Sequence, residues 1–349
     1  MRKEILFAVI AGVIFGIIVA FGIWRANSAL NSKSTSTSKE TLDVSPTFPP
    51  QEFSLSLAKP EEDDVITETP MILSGVTTPS AWVVVSAEDE DYVASADESG
   101  AFSQEANLLG GVNNLTVFAI DVNAKSAEKQ ISVVFSSEFA KDAGITPEAS
   151  DSSPEQASEE SDVVREKVKE KVELVRKNPK AYMGTITDKT TDSLQIKTDG
   201  GEIQQAQVDE TTSFVKFGKA STKVKFDDVA IGDYTVAMGF RDSSGVLDAR
   251  RVLLTSPGQP IKKQVLFGTV TSVTKDSITM QDKLTDQEYE IKSGKDLLVT
   301  LSADTGLAKS KFSEIGQGDT LIVAALSKDG SLEVRRIHIA SSPESSPTP

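Results

Sequence analysis

Met183–Thr198 reads MGTITDKTTDSLQIKT, and Phe267–Asp282 reads FGTVTSVTKDSITMQD. The echo continues well past these stretches. Phe226–Leu254 (FDDVAIGDYTVAMGFRDSSGVLDARRVLL) answers Phe312–Ala340 (FSEIGQGDTLIVAALSKDGSLEVRRIHIA). The offset is 84 at Gly184/Gly268, 86 at Asp233/Asp319 and 85 at Arg250/Arg335, as the residue numbers give directly. A drift this small over a whole domain means loop insertions only, so residues 181–256 and 264–341 are tandem copies of one fold. Within each copy, short alternating runs are broken by hairpin signals such as Asp199-Gly200-Gly201, Ser244-Gly245 and Asp329-Gly330. The first copy reads as six strands: 182–187, 194–198, 203–208, 213–217, 234–240 and 246–254. A helical turn is expected near Phe226 and Phe312. A small closed barrel is the economical arrangement, because closure removes exposed strand edges.

Residues 52–136 alternate with period two and carry seven expected strands: 53–57, 71–75, 81–86, 92–96, 102–108, 114–121 and 129–135. Seven short strands with regular turns describe a β-sandwich. The expected fold class is mainly β: an N-terminal transmembrane helix, a β-sandwich, a short helix and two tandem small β-barrels. The expected units are an anchor (1–25), a Ser/Thr/Pro-rich linker (26–51), the sandwich (52–136) and an acidic disordered linker (137–162). A helix (163–180), the two barrels and a disordered tail (342–349) follow. In the helix, Val164, Val168, Val172 and Val175 recur at helical spacing, with Asp162 as cap and Pro179 as stop.

Ile5–Trp24 holds twenty residues without a charge, which as a helix spans roughly 30 Å, the thickness of a bilayer core. Cleaved signal peptides have shorter apolar cores and a small-x-small site, so an uncleaved anchor is expected. Arg2 and Lys3 before it, and the stalk-like linker after it, place the N-terminus inside and the bulk of the chain outside. Ala8, Gly12, Gly16 and Ala20 line one face of that helix, where small residues let a second helix approach closely.

Net charge is −16 and unevenly spread. Residues 52–136 hold 15 acidic and 3 basic groups, while each repeat holds 11 acidic and 9 basic. That balance argues against nucleic acid as a partner. The absence of cysteine excludes disulfides and thiolate chemistry. Two acidic runs, Glu61-Glu62-Asp63-Asp64 and Glu88-Asp89-Glu90-Asp91, fall at loops. Their carboxylates, with Glu61, Asp63, Asp64, Glu88, Asp89 and Asp91 as donors, form a candidate Ca²⁺ site, since Ca²⁺ takes six to eight oxygens. The competing reading is solvated turn charge. No other cofactor is expected.

Duplication offers its own test for chemistry: a residue the fold needs should stand in both copies. His338, the only histidine, faces Leu253 in the other copy, so it is not expected to be catalytic. Asp233/Asp319 and the pairs Arg250-Arg251 and Arg335-Arg336 stand in both. These arginines are candidate ligand-binding residues, the alternative being fold-stabilising Asp–Arg pairs. No P-loop, nucleophile elbow or zinc-protease motif is present, and no enzyme is expected.

Two resemblances follow from the quoted residues. The block ILSGVTTPSAWVVV (72–85), then DESGAFSQEANLLGGVNNLTVFAIDVNAKS (97–126) and the closing KQISVVF (129–135) resemble bacterial immunoglobulin-like or fibronectin type III-like surface domains. That resemblance implies a sandwich used as spacer or adhesion module. The repeat is similar to an exported bacterial β-barrel domain of unknown function, OB-like in fold. It rests on Gly-Thr-Ile/Val-Thr, Asp-Ser-Leu/Ile, Phe-x-x-Val/Ile-x-x-Gly-Asp and Leu-x-x-Arg-Arg-Val/Ile, and carries no catalytic residue. The expected role is a membrane-anchored extracytoplasmic structural or interaction protein. The alternatives are an envelope glycan- or protein-binding module using the tandem barrels, and an intracellular OB-like nucleic-acid binder. Oligomeric state is left open.

Overall fold

The computed structural model describes residues 53–144, 178–218, 221–258, 261–303, 306–328 and 331–342. The expected anchor with Ala8, Gly12, Gly16 and Ala20, the linker over 26–51, most of the connecting linker and helix, and the tail from 343 lie outside these residues. No helix among the described residues is long and apolar enough to cross a membrane.

The chain is mainly β. The first module has two sheets. One is three-stranded in the order β1 (Ser56–Lys59), β3 (Met71–Val76), β6 (Ala101–Ala106). The other is five-stranded in the order β2 (Val65–Ile66), β8 (Ser126–Phe135), β7 (Gly111–Ile120), β4 (Trp82–Ser86), β5 (Asp91–Ser95). All seven expected strands are present with shifted ends. The two-residue β2 is additional, too short to leave a periodic signal. Inward residues of both sheets, among them Leu73, Val83, Val85, Leu115, Val117 and Val133, form one core. Each such side chain contributes about 1.5–3 kcal/mol on burial.

The second module runs β9 (Lys180–Lys189), β10 (Ser193–Lys197), β11 (Ile203–Gln207), β12 (Ser213–Lys216), β13 (Thr222–Val224), β14 (Tyr234–Arg241) and β15 (Leu247–Thr255). Strands β9, β10 and β11 form a meander, and β14 pairs with β9 on its other side. β15 pairs with β14 and meets β11 in parallel, Ala206 opposite Leu247, which closes the ring. The β12–β13 hairpin extends from β15 further along.

The third module repeats this order: β16 (Lys262–Val273), β17 (Ser277–Asp282), β18 (Glu288–Lys292), β19 (Leu298–Ala303), β20 (Gly306–Ser310), β21 (Thr320–Lys328) and β22 (Ser331–Ser341). Here β18 does not pair with β22, so the ring expected to be closed is open at that seam. The expected turns are 3-10 turns at Phe226–Asp228 and Phe312–Glu314.

The glycine of the repeated Gly-Thr motif now has a cause. A Cβ on Gly184 would lie 2.0 Å from the Lys197 carbonyl oxygen, and one on Gly268 would lie 1.9 Å from that of Gln281. The paired strands approach too closely there for any side chain.

Two expectations over 137–180 are corrected. The acidic linker does not begin at 137: Phe139–Asp142 forms a one-turn helix, α1, with Phe139 fully buried. Lys180, assigned to the helix, belongs to β9. The apolar side chain of Phe139 offsets the polarity of its neighbours, which an average over the segment hides.

The two copies do not extend the molecule in a line. Both pack on the sandwich, and with the same outer face. In the first copy Ala181, Val236, Met238, Phe240 and Leu253 meet Val65, Val134 and Phe139. In the second, Val265, Phe267, Ile322 and Ala324 meet Val84, Val93, Phe118 and Ile120. Positions 181, 236 and 238 correspond to 265, 322 and 324 through the offsets of 84 and 86. β14 and β21 are therefore buried on both faces, one toward their own barrel and one toward the sandwich.

Candidate functional site

The charged residues singled out by the sequence converge on the two junctions between sandwich and barrels. At the first junction the chain enters β9 alongside the acidic run. Val65 N–H donates to the Pro179 carbonyl at 2.9 Å, and Ala181 N–H donates to that of Asp63 at 2.8 Å. This short backbone ladder places Lys180 against Asp64, at 2.9 Å, and Glu61, at 3.1 Å. Burial opposes the charge on Lys180, but its hydrogen bonds to Asp64 and Glu61 outweigh that and raise its pKa. Lys180 in turn holds the Glu61 carboxyl below its ordinary value. Asp63, which has no such hydrogen bond, is pushed up to about 6 by burial and by the neighbouring Glu62 charge.

α1 forms the other half of this junction. The Phe139 ring lies 6.1 Å from that of Phe240. Asp142 accepts from Arg251 Nη1 at 2.6 Å and from Ser213 Oγ at 2.5 Å. Glu138 stands 3.8 Å from Arg251 Nη2.

At the second junction Arg335 does the corresponding work. β21 and β22 slip register so that Ala324 faces Arg336 and Ala325 faces Val334, leaving Arg335 on a bulge. The same slip leaves Arg250 on a bulge in the first copy. A bulge re-aims its side chain. Arg335 reaches into the sandwich, where Nε and Nη2 bind the two Asp91 oxygens at 2.8 and 2.5 Å. Nη1 donates to the Glu88 carbonyl at 2.9 Å and Nη2 to that of Ala87 at 3.1 Å. Ser86 Oγ completes the Asp91 carboxylate at 2.5 Å. Lys263, buried and with its pKa lowered by that burial, donates to the Asn114 carbonyl and faces Glu88 at 3.7 Å.

His338 stands in this junction, fully buried, at the place of Leu253 in the other copy. Its ring lies 4.7 Å from that of Trp82, and its nitrogens meet Thr300 Oγ1 at 3.1 Å and Ser302 Oγ at 3.3 Å. Burial, then the Arg336 charge, lowers its pKa to about 4, so it is neutral at physiological pH.

Each candidate residue among the described residues now has a place. The two acidic runs approach through Glu62 and Glu88, which accept from the backbone N–H groups of the paired residues Ser132 and Asn114, and among the described residues no group of three or more metal-donor side chains is arranged around one point. Glu61 and Asp64 face Lys180, Glu88 faces Lys263 and Asp91 faces Arg335, all from the docked barrels. Arg251 and Arg335 hold junctions and Arg250 pairs within its own barrel with Asp248, at 2.5 Å, and Asp209, at 3.4 Å. The expected pairing of these arginines with Asp233 and Asp319 is absent. Those carboxylates accept from Ala230 N–H at 2.9 Å and Gly316 N–H at 2.7 Å, closing the turns before β14 and β21.

Only Arg336 lies in a cleft without a salt bridge among the described residues, half-buried between Asp91 and Glu90. That cleft, about 370 Å³, opens between the 88–91 loop and the start of β22.

Sequence reasoning missed the docking faces, with Phe139, Lys180 and Lys263. A signal for the faces existed. Thr235–Phe240 and Leu321–Leu326 run without alternation, as strands covered on both sides do.

No protein-family model and no curated protein matches this sequence. Among solved structures, it is similar to a multidomain protein with nucleic acid binding domains from Streptococcus pneumoniae TIGR4. That match has 18% identity over 47% of this chain and 46% of the other, with a TM-score of 0.13. A tetra-tandem repeat in the extending region of a large adhesion protein matches at 11% identity over 82% and 72%, with a TM-score of 0.21. A Bacteroides ovatus mixed-linkage glucan utilization locus protein, SGBP-B, solved with a mixed-linkage heptasaccharide, matches at 10% identity over 83% and 70%, with a TM-score of 0.19. The chain spans 46%, 29% and 20% of the first three structures it matches. Superposition this loose carries no argument about function, and the fold stands on the strand pairing described above.

Proposed function

We propose that this chain is a non-catalytic, membrane-anchored interaction or scaffold protein whose folded part is displayed outside the membrane. In this reading the first module is an Ig-like sandwich and the repeats are OB-like barrels. The anchor rests on Ile5–Trp24 and the flanking charges. One structural observation carries the interaction reading. Carboxylates of the sandwich loops and of α1 are engaged with basic residues of both copies across Asp64–Lys180, Asp142–Arg251 and Asp91–Arg335. Together with two apolar clusters they join sandwich and barrels. Charges arranged this way build a firm body that presents surface, as a scaffold requires.

The nucleic-acid alternative is disfavoured for the same reason. Three of the four repeated arginines are held by carboxylates, and each copy is net acidic.

The test is protease treatment of intact cells carrying a tag after Pro349. Loss of the tag while a cytoplasmic control survives supports the reading. A tag protected until the membrane is permeabilised overturns the placement.

A further inference from the structure

The two copies differ at one seam, and the difference leaves a strand edge unpaired among the described residues. In the first copy β11 lies along β15, with Ala206 opposite Leu247 and Gln207 opposite Asp248. In the second copy the counterpart of β15, β22, has only β21 beside it over Ser331–Arg335. Its other side gains a partner first at Arg336, opposite Leu298 of β19. An edge of this kind turns alternate backbone N–H and C=O groups outward, ready to pair with another strand.

The 370 Å³ cleft opens on this edge. Glu333 and Val334 form part of one wall, the 88–91 loop of the sandwich forms the other, and Leu298 and Leu326 contribute apolar surface. Its charge is lopsided. Asp91 is engaged by Arg335, and Arg336 is faced by Asp91 and Glu90. Asp89, Asp296 and Glu333 remain exposed around the mouth.

We propose that this seam takes an extended, lysine-bearing peptide segment of another protein by strand addition to β22. The proposal deepens the interaction reading above and rests on it. Successive side chains of an added strand point to opposite faces, with same-face neighbours about 7 Å apart. Apolar side chains on the inner face meet Leu332 and Val334, which pack against the barrel core, while lysines on the outer face reach Glu333, Asp89 and Asp296 beside Leu298 and Leu326. Backbone pairing supplies affinity and the alternating side chains supply selectivity. The site needs both modules, since Asp89 comes from the sandwich and β22 from the second barrel.

The experiment uses the full chain and three fluorescein-labelled ten-residue probes: alternating Lys-Val, alternating Glu-Val and alternating Lys-Pro. Proline keeps the charge pattern but removes half of the N–H donors. The expected result has three parts. Lys-Val binds saturably and slows hydrogen exchange at the outward-facing amides within Leu332–Val334. The double variant D89N/E333Q weakens it by about two- to thirtyfold, the range of two partly exposed charge pairs, while D188N on the first barrel leaves it unchanged. Lys-Pro and Glu-Val bind more weakly than Lys-Val.

Equal binding of Lys-Pro overturns strand addition. Insensitivity to D89N/E333Q overturns the location. Outward-facing amides within Leu332–Val334, those not turned toward β21, that are already protected in the free chain show the seam closed by its own β18, and also overturn the proposal. Competition at this cleft by RNA or a neutral glucan, with Lys-Val failing, overturns the peptide assignment. Cell shaving that succeeds while these tests fail removes only this proposal and leaves the anchored interaction reading standing.

Discussion

Replacing Arg335 with Met keeps most of the side-chain volume and removes its donors. Asp91 is 3% exposed, and in the native chain Arg335 contacts both of its oxygens. After R335M, Ser86 Oγ is the one hydrogen bond left to that carboxylate among those described. A buried carboxylate stripped of its cation costs about 3–5 kcal/mol, a factor of roughly 150 to 5,000 in an equilibrium. The whole cost falls on docking of the second barrel, because Asp91 lies in the sandwich and Arg335 in the barrel. D91N in the R335M background removes the stranded charge and recovers part of the loss, with a coupling of about 0.5–3 kcal/mol. Trp82 reports the event directly, since its ring packs on His338. The chain has two tryptophans, so Trp24→Phe leaves Trp82 alone. Urea titration followed by Trp82 fluorescence should show undocking in R335M well before the barrels unfold. A shift worth less than about 1 kcal/mol would place the pair in the class of solvated surface ion pairs and refute the junction as described.

Further outcomes follow from other residues. His338, lowered to about 4 from 6.5, stabilises the fold fully above about pH 6.5, and that contribution is lost as pH falls toward 4. Asp63, raised to about 6, acts in the opposite sense, its ionisation weakening the fold as pH rises from about 4 to 6. The two partly cancel, so H338L, which copies Leu253 of the first barrel, should make stability fall with rising pH across 4–6; stability curves that still rise there would contradict the His338 assignment. Phe139→Ala should cost about 3–5 kcal/mol at the first junction, measured by denaturation, because the ring is fully buried between sandwich and barrel. Gly268→Ala should cost about 1–3 kcal/mol by forcing β16 and β17 apart, and a neutral effect in thermal melts would show that the strands approach less closely.

The sequence carried the strands, the duplication and the turns, because each is written in local pattern. Period-two alternation marks a face, Gly-Asp marks a turn, and an offset of 84 to 86 marks a second copy. It also set His338 at the place that Leu253 holds in the first copy. It did not carry the use of the conserved-looking charges within the repeat. Asp233, Asp319 and the arginines recur together, yet the carboxylates close local turns while Arg251 and Arg335 leave their barrel altogether. The equivalent positions even diverge: Arg250 pairs with Asp248 inside its own barrel, whereas Arg335 holds Asp91 of the sandwich.

Sequence alone therefore determined the modules, because strand formation depends on residues close in the chain. Tertiary structure alone decided that both barrels dock on the sandwich with one shared face, and that the acidic loops serve those junctions. Those contacts join residues more than a hundred positions apart, such as Asp91 and Arg335. A carboxylate in a turn has the same local sequence whether water or a distant guanidinium faces it. Only the packed chain settles which.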